Sequence, residues 1–158
     1  MINLGFRLFQ THLTAFKRFV QMKSDKTILL VEDDYVDTIT FKRVLKKLEV
    51  HNPVVICNNG EEALNWLNLN KTDLPGLIFL DLNMPKMNGI EFLDIVKQDE
   101  TLKIVPVIVL TTSSDPSDRL ESFRRCVAGY MVKSVDYNEF AETISCVKTY
   151  WRTSQLAY

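Results

Sequence analysis

Five short apolar runs, each ending abruptly at polar residues, constrain the fold of this chain more than any other feature of its sequence. Each run has four or five residues and includes β-branched side chains; the runs are 27–31, 53–57, 77–80, 106–110 and 129–132. Runs without polar alternation are typical of strands that are buried on both faces. The pattern therefore predicts a parallel sheet that is covered by helices on both sides.

Segments with a helical period separate these runs. Apolar residues recur at helical spacing in each of them: Ile39, Val44, Leu45 and Leu48; Ala63, Leu64, Trp66 and Leu67; Ile90, Phe92, Leu93 and Val96; Leu120 and Phe123; and Phe140, Ile144, Val147 and Trp151. Five repeats of strand and helix favour an α/β fold, and right-handed crossovers then give a small doubly wound sheet.

Polar side chains stand where the predicted strands end. Glu32 and Asp33 follow the first run, Asp81 the third, Thr111 the fourth and Lys133 the fifth. In open α/β sheets the functional crevice lies beyond the carboxyl ends of the strands. The sequence therefore predicts that carboxylates, a hydroxyl and an amine meet at one edge of the sheet, which we call the rim.

The acidic residues of the rim favour a magnesium site. If the first and third strands are neighbours, Glu32, Asp33 and Asp81 lie close together, and such like charges raise one another's pKa unless a cation is present. Oxygen ligands select Mg2+ or Ca2+, and a shallow site with carboxylates and several waters suits Mg2+. The alternative is a solvated acidic cluster at a helix N-terminus, where Asp and Glu are favoured in any case.

Asp81 is the candidate nucleophile of the rim. A carboxylate can attack phosphorus and form an aspartyl phosphate, and the reaction needs charge neutralisation more than covalent help. The ammonium of Lys133 could place a point charge on the phosphoryl oxygens, and Thr111 could donate one hydrogen bond. The alternatives are a surface lysine that ends a strand and an ordinary strand-end threonine.

The segment after Asp81, residues 83–89, contains a proline and a glycine and is predicted to form a tight loop. Such a loop could aim the backbone carbonyl of Asn83 at the metal. Asn88 or Gly89 would then open the next helix.

Four segments, taken together, strongly resemble response-regulator receiver domains. They are LVEDD at 30–34, LDLNMP at 80–85 with Gly89, LT at 110–111 and GYMVK at 129–133. Their order and spacing agree with the family from about residue 25 to residue 151. The resemblance implies a flavodoxin-like α/β fold, which is a doubly wound five-stranded parallel sheet in the order 2-1-3-4-5 with five helices.

The resemblance also implies a role for each residue of the rim. Asp81 would accept a phosphoryl group from a histidine kinase and would ligate Mg2+ as the cofactor. Glu32 and Asp33 match the acidic pair at the metal, Asn83 the carbonyl ligand, Thr111 the switch hydroxyl, Lys133 the phosphate-binding lysine, and Tyr130 the aromatic that changes rotamer. This movement would remodel the face made by the fourth helix, fifth strand and fifth helix.

The position after the lysine departs from the family pattern. Receivers usually have a proline there, often with a cis peptide bond, whereas Ser134 follows Lys133. A non-proline cis bond costs about 2.5–4 kcal/mol. We therefore expect a trans bond with a shifted loop or a strained exception. The serine also favours an alternative function, a pseudo-receiver that acts as a constitutive protein-binding or dimerisation module.

Residues 1–24 lie outside the resemblance and are expected to form an amphipathic helical extension, before a receiver domain at 25–152 and a tail at 153–158. Six apolar residues fall on one helical stripe: Ile2, Phe6, Phe9, Leu13, Phe16 and Val20. The segment could be a dimerising helix, a basic amphipathic helix on a membrane surface, or untranslated or vestigial sequence before a start at Met22.

Composition bounds the partners and the location. A net charge of -1 gives no argument for nucleic-acid binding, and no apolar stretch approaches the length of a membrane span. The three cysteines are scattered without metal-ligand spacing and, with no secretory signal, favour a reducing cytoplasm. The resemblance leaves no room for a DNA-binding or catalytic output domain after the last helix, so we expect output through protein contacts or a phosphorelay.

The C-terminal half is similar to the small single-domain regulators that partner bacterial phytochromes. The similarity rests on the run 110–113 and on Tyr150 and Trp151 near the end. It implies a bacterial phytochrome as one candidate kinase and a homodimer through the last strand and helix.

An enzyme is the rival from another class. Aspartate-nucleophile phosphatases typically place a second acid two residues after the nucleophile as a general acid. Asn83 occupies that position here and cannot do this. We therefore expect a phospho-accepting signalling protein with at most self-dephosphorylation, not an enzyme. A flavin-binding module is a more distant rival, against which a colourless protein would argue.

Overall fold

A five-stranded parallel sheet forms the centre of the protein in the computed structural model, which describes residues 25–154. The strands are β1 (Ile28–Val31), β2 (Val54–Cys57), β3 (Leu77–Leu80), β4 (Val107–Thr111) and β5 (Gly129–Val132). Their order is β2-β1-β3-β4-β5, and every neighbouring pair is parallel. The predicted flavodoxin-like sheet is confirmed. The predicted extension at 1–24 and the end of the chain beyond Ser154 lie outside the described residues.

Five helices alternate with the strands. They are α1 (Tyr35–Lys47), α2 (Gly60–Leu69), α3 (Gly89–Gln98), α4 (Pro116–Arg124) and α5 (Tyr137–Thr153). Each helix begins after an Asp or Asn whose side chain accepts a backbone N–H of the first turn; these caps are Asp34, Asn59, Asn88, Asp115 and Asp136. A cap of this kind stabilises a helix by about 1 kcal/mol, so local sequence fixes where each helix starts.

The core has one layer on each face of the sheet because successive strand residues point to opposite sides. Leu29 and Val31 of β1 pack with α2 and α3, whereas Ile28 and Leu30 pack with α1 and α5. The ring of Phe41 on α1 meets that of Phe79 on β3 edge-on, with centroids 4.9 Å apart. Burial on both faces explains the uninterrupted apolar runs of the sequence.

Helix α4 differs from the other four helices in its burial. The helical spacing of Leu120 and Phe123 suggested a stripe like those of the other helices, but these side chains are 53% and 49% exposed. Ser122 is the buried residue of this helix. Two apolar residues three positions apart specify a helix face but not whether that face turns toward the sheet, and here it remains about half exposed.

The cysteines have unequal exposure. Cys57 is buried at the end of β2, whereas Cys126 and Cys146 are exposed, and all three are free thiols. Burial raises the pKa of Cys57 to about 11. Among residues 25–154, the helices are too short or too polar to cross a bilayer.

Candidate functional site

The carboxyl ends of β1 and β3 bring the predicted acids together. Val31 pairs with Leu80 in the sheet, so the residues that follow them, Glu32 and Asp81, emerge side by side. The Asp81 N–H donates to the Val31 carbonyl at 2.9 Å, which continues the ladder into the site. One carboxylate oxygen from each of Glu32, Asp33 and Asp81 lies within 4.8 Å of the other two.

Backbone N–H groups fix the carboxylate of Asp81. Its Oδ1 accepts from the Leu82 N–H at 2.7 Å and from the Asn83 N–H at 3.4 Å. The residue is only 6% exposed. Its other oxygen, Oδ2, accepts from the Lys133 ammonium at 3.2 Å. The carboxylate is therefore held with one oxygen toward the loop and one toward the amine.

Gly89 allows α3 to begin directly against the acceptor residue. A Cβ at this position would lie 2.5 Å from the Asp81 carbonyl oxygen and 2.8 Å from the Cα of Leu82. The Gly89 N–H also donates to the Leu82 carbonyl at 3.0 Å. Any larger side chain would push the helix away from the acid, which explains why a glycine stands here.

Lys133 lies within hydrogen-bond distance of three carboxylates. Its Nζ is 2.5 Å from Glu32 Oε2, 2.7 Å from Asp37 Oδ2 and 3.2 Å from Asp81 Oδ2. The side chain is 7% exposed. The three ammonium hydrogens therefore match three carboxylate acceptors.

Burial and pairing act in opposite directions on these charges. Burial raises the pKa of Glu32 to about 7, and the hydrogen bond and charge of Lys133 limit the rise. Burial lowers the pKa of Lys133, but hydrogen bonds to Asp37 and Glu32 outweigh it and raise that pKa above its ordinary value. The amine is therefore held as a positive charge, whereas burial disfavours the charged form of Glu32 and Lys133 favours it.

Thr111 and Tyr130 are connected through the segment after β4. Thr111 is fully buried as the last residue of β4, and its Oγ1 accepts from the Ser113 N–H at 3.3 Å. The Tyr130 hydroxyl donates to the Ser113 carbonyl at 2.9 Å. A shift of the threonine would therefore reach the tyrosine through Ser113.

The departure at Ser134 leaves the lysine in place. Residues 25–154 contain no cis peptide bond, so the bond after Lys133 is trans, which is one of the two expected outcomes. The Ser134 hydroxyl donates to Glu139 Oε2 at 2.6 Å and accepts from the Asp136 N–H at 3.1 Å. These hydrogen bonds hold the loop while Lys133 still contacts Asp81.

The donor set of the rim fits a hard divalent cation. Asp33 is exposed and borders an open cleft of about 530 Å³ that is also lined by Asn83 and Asp118. Carboxylate oxygens that face an open, polar space match the preference of Mg2+ for oxygen ligands and retained waters. The geometry is therefore compatible with the predicted magnesium site.

The part of the chain that carries the rim matches a known protein family. The model of the response regulator receiver domain matches residues 28–145. The chain belongs to the response-regulator receiver family. The matched region contains every residue of the rim.

Individual relatives agree with this assignment. Response regulator Rcp1 from Synechocystis is 35% identical over 130 residues, which cover 80% of this chain and 88% of that protein. A probable methanogenesis regulatory protein, FilR2 of Methanothrix harundinacea, is 32% identical, with 78% of this chain and 82% of that protein covered.

Solved structures of receivers share the fold. The phosphorylated cyanobacterial phytochrome response regulator RcpA superimposes with a TM-score of 0.79 at 33% identity, covering 85% of this chain and 99% of that one. The Mn2+-bound form of Rcp1 gives 0.76 at 34% identity, covering 84% and 99%.

Two acidic contacts of this receiver were not predicted from its sequence. Asp37 reaches Lys133 from the first turn of α1, and Asp118 accepts from the Ser113 hydroxyl at 2.6 Å. The spacing of Asp33 and Asp37, four residues apart at a helix start, is the signal that could have indicated the first contact. Asp118 had no comparable signal, because an acid in the first turn of a helix is common.

Proposed function

We propose that this receiver accepts a phosphoryl group on Asp81 from the phosphohistidine of a histidine kinase and signals through protein–protein contacts. The proposal rests chiefly on one observation, the contact between the Lys133 ammonium and a buried carboxylate that backbone N–H groups hold in place. A nucleophile in such a setting is oriented before the phosphoryl donor arrives, which is where much of the rate of phosphoryl transfer originates.

The residues of the rim would divide the work of the transfer. An Asp81 carboxylate oxygen forms the new P–O bond as the P–N bond to the kinase histidine breaks, and the imidazole leaves with the electron pair and takes up a proton. Lys133 places its positive charge against the phosphoryl oxygens, and Thr111 donates a hydrogen bond to them. The backbone N–H of Leu82 keeps the carboxylate oriented during the reaction.

Four groups would hold the cofactor Mg2+. They are the carboxylates of Glu32, Asp33 and Asp81 and the backbone carbonyl of Asn83. When bound, the ion neutralises charge on the phosphoryl oxygens. The mutual proximity of the three carboxylates and the position of Asp33 and Asn83 at the edge of the cleft support this assignment.

The switch would run from Thr111 through Ser113 to Tyr130. When the threonine hydroxyl turns to the phosphoryl group, the Ser113 N–H loses its acceptor and the hydrogen bond of Tyr130 to the Ser113 carbonyl is disturbed. The tyrosine then changes rotamer and remodels the face made by α4, β5 and α5. This is a local charge event that biases a surface with two states.

The partners follow from the family and from the exposed surface. The histidine kinase is the primary partner, and the phytochrome response regulators among the relatives make a bacterial phytochrome a candidate for it. Val132 at the end of β5 and Tyr150 on α5 are 46% and 58% exposed, which supports a homodimer through these two elements. We expect a cytoplasmic protein without nucleic-acid binding and without turnover beyond self-dephosphorylation.

Intact mass tests this function. The protein is incubated with acetyl phosphate and Mg2+, beside an Asp81→Ala variant and a sample with EDTA. We expect one added phosphoryl group on the wild type and none on the other two. A folded wild-type protein that gains no mass would instead favour the pseudo-receiver, whose output is constitutive binding.

A further inference from the structure

The three acceptors of Lys133 are not equivalent. Glu32 and Asp81 belong to the acidic cluster whose oxygens would hold the cation. Asp37, at 2.7 Å from the lysine, is the acceptor outside that cluster among the described residues. If a cation bound the cluster, the oxygens of Glu32 and Asp81 would be shared with it, and Asp37 would be the acceptor that contacts the lysine alone.

The position of Asp37 is fixed by the start of α1. Its backbone N–H donates to the capping side chain of Asp34 at 2.9 Å, so the residue sits on a rigid first turn and not in a loop. Its side chain is 39% exposed, so it remains in contact with solvent while it binds the lysine. The side chain of Lys133 is long and flexible. Its contact with Asp37 holds the ammonium on the side of the rim away from β5, the strand that Lys133 follows.

We propose that Asp37 is a positioning residue that keeps the Lys133 ammonium at Asp81 when the acidic cluster holds its cation. The inference deepens the proposed phosphoryl transfer and rests on it for its kinetic consequences, although the contact itself does not. Lys133 would stabilise charge on the phosphoryl group both when it is transferred to Asp81 and when water later hydrolyses the aspartyl phosphate. Loss of its tether therefore slows both the gain and the loss of the phosphoryl group.

Chemical labelling of Lys133 tests the contact without any phosphoryl transfer. The full chain in Mg2+ alone is treated with an amine-acylating ester, and modification at position 133 is followed by peptide mass spectrometry. In Asp37→Asn we expect acylation of Lys133 to be about threefold to tenfold faster than in the wild type, as for the loss of one half-exposed ionic contact. Unchanged labelling of Lys133 in this variant would overturn the proposal.

Asp34→Asn is the matched control for charge. It removes one negative charge from the same helix start, and asparagine remains a good cap. Asp34 is not one of the three acceptors of Lys133. We expect its labelling to stay within about twofold of the wild type, since a charge without contact is screened by water. Equal acceleration in both variants would mean that only the charge of the region matters, which contradicts a positioning role.

A double-mutant cycle tests the kinetic consequence. Asp37→Asn should slow phosphoryl uptake from acetyl phosphate and also slow its decay, each by about threefold to tenfold, as for the same lost contact. It should have no further effect in a Lys133→Met background, because the two residues act through one contact. Asp37→Glu should restore part of the rate. Additive effects, or faster uptake in Asp37→Asn, would overturn the proposal.

The two experiments separate the inference from the function on which it rests. If the wild type gains no phosphoryl group while Asp37→Asn still exposes Lys133 to acylation, the proposed function fails and the positioning contact stands. If the wild type gains the group and Asp37→Asn changes neither labelling nor rates, the function stands and the inference fails.

Discussion

The central strands of the sheet and its β5 edge differ in how tightly they are packed. Strands β1, β3 and β4 are buried at every position. Strand β5 is only partly buried and ends at an exposed valine, whereas the other edge strand, β2, is also partly buried but ends at the buried Cys57. The neighbouring α4 leaves Leu120 and Phe123 about half exposed.

This difference separates the place where chemistry would occur from the place where it would be detected. Asp81 follows the most buried part of the sheet, where a displaced backbone would disturb close packing. The α4–β5 side has few buried apolar contacts, so its rearrangement costs less free energy. The hydrogen bond from Tyr130 on β5 to the carbonyl of Ser113, which follows β4, joins the two regions.

Truncation of one phenylalanine in each region compares how much packing contributes to stability there. Phe92 on α3 is fully buried, whereas Phe123 on α4 is 49% exposed. We expect Phe92→Ala to lower the free energy of unfolding by about 3–5 kcal/mol, because it removes a large core side chain and leaves a cavity. Phe123→Ala should change it by less than about 0.5 kcal/mol. Urea denaturation measures both, and similar losses would show that α4 packs as tightly as α3.

Gly89 and Gly129 differ in the space that surrounds the backbone in the two regions. A Cβ at Gly89 would clash with the Asp81 carbonyl oxygen at 2.5 Å, whereas a Cβ at Gly129 would meet Ile108 at an ordinary 3.8 Å. We expect Gly89→Ala to destabilise the protein by about 1–3 kcal/mol, as in overpacked sites.

The alanine at position 89 should also slow phosphoryl uptake, since the shift acts on the acceptor itself. Gly129→Ala should leave both stability and uptake close to the wild-type values. Thermal melts and intact-mass time courses report the two effects. Normal uptake in a destabilised Gly89→Ala protein would mean that the close approach of α3 does not position Asp81.

The hydroxyl of Tyr130 connects the β5 edge to the segment after β4 through one hydrogen bond, to the Ser113 carbonyl. We expect Tyr130→Phe to lower the free energy of unfolding by about 0.5–1.5 kcal/mol, the usual net value of such a bond. Hydrogen exchange of the amides around Ser113 should rise, because the segment loses one anchor. Unchanged exchange there would indicate that the tyrosine is not the connection.

The reactivity of the three thiols reports their burial without a mutation. Burial raises the pKa of Cys57 to about 11, so its reactive thiolate is scarce at pH 8 and increases only as the pH approaches that value. Cys126 and Cys146 are exposed. We expect alkylation at pH 8 to modify these two quickly and Cys57 only after unfolding. Rapid modification of Cys57 in the folded protein would contradict the burial of this thiol at the end of β2.

Parts of this molecule follow from sequence because they depend on local pattern. Continuous apolar runs predicted strands that are buried on both faces, and an Asp or Asn before each helix marks its start. The meeting of Glu32, Asp33 and Asp81 followed from topology, since parallel strands end at one edge. These features need no knowledge of individual side-chain contacts.

Other parts depend on contacts between distant residues and were missed. The orientation of α4 was not predicted, because two apolar residues do not determine which face turns inward. The contact of Asp37 with Lys133 joins residues 96 positions apart. The hydrogen bonds of Ser134 replace a proline in a way that the sequence alone left open between two geometries. Long-range polar pairing leaves no periodic signal, so these contacts required coordinates.

We expect Asp81 itself to receive the phosphoryl group. After treatment with acetyl phosphate and Mg2+, borohydride reduces an aspartyl phosphate to homoserine, and tandem mass spectrometry of the digested protein locates it. We expect homoserine at position 81, with Asp33 and Asp37 recovered as aspartate. Homoserine at another acid, or none in a protein that has gained the phosphoryl mass, would contradict it.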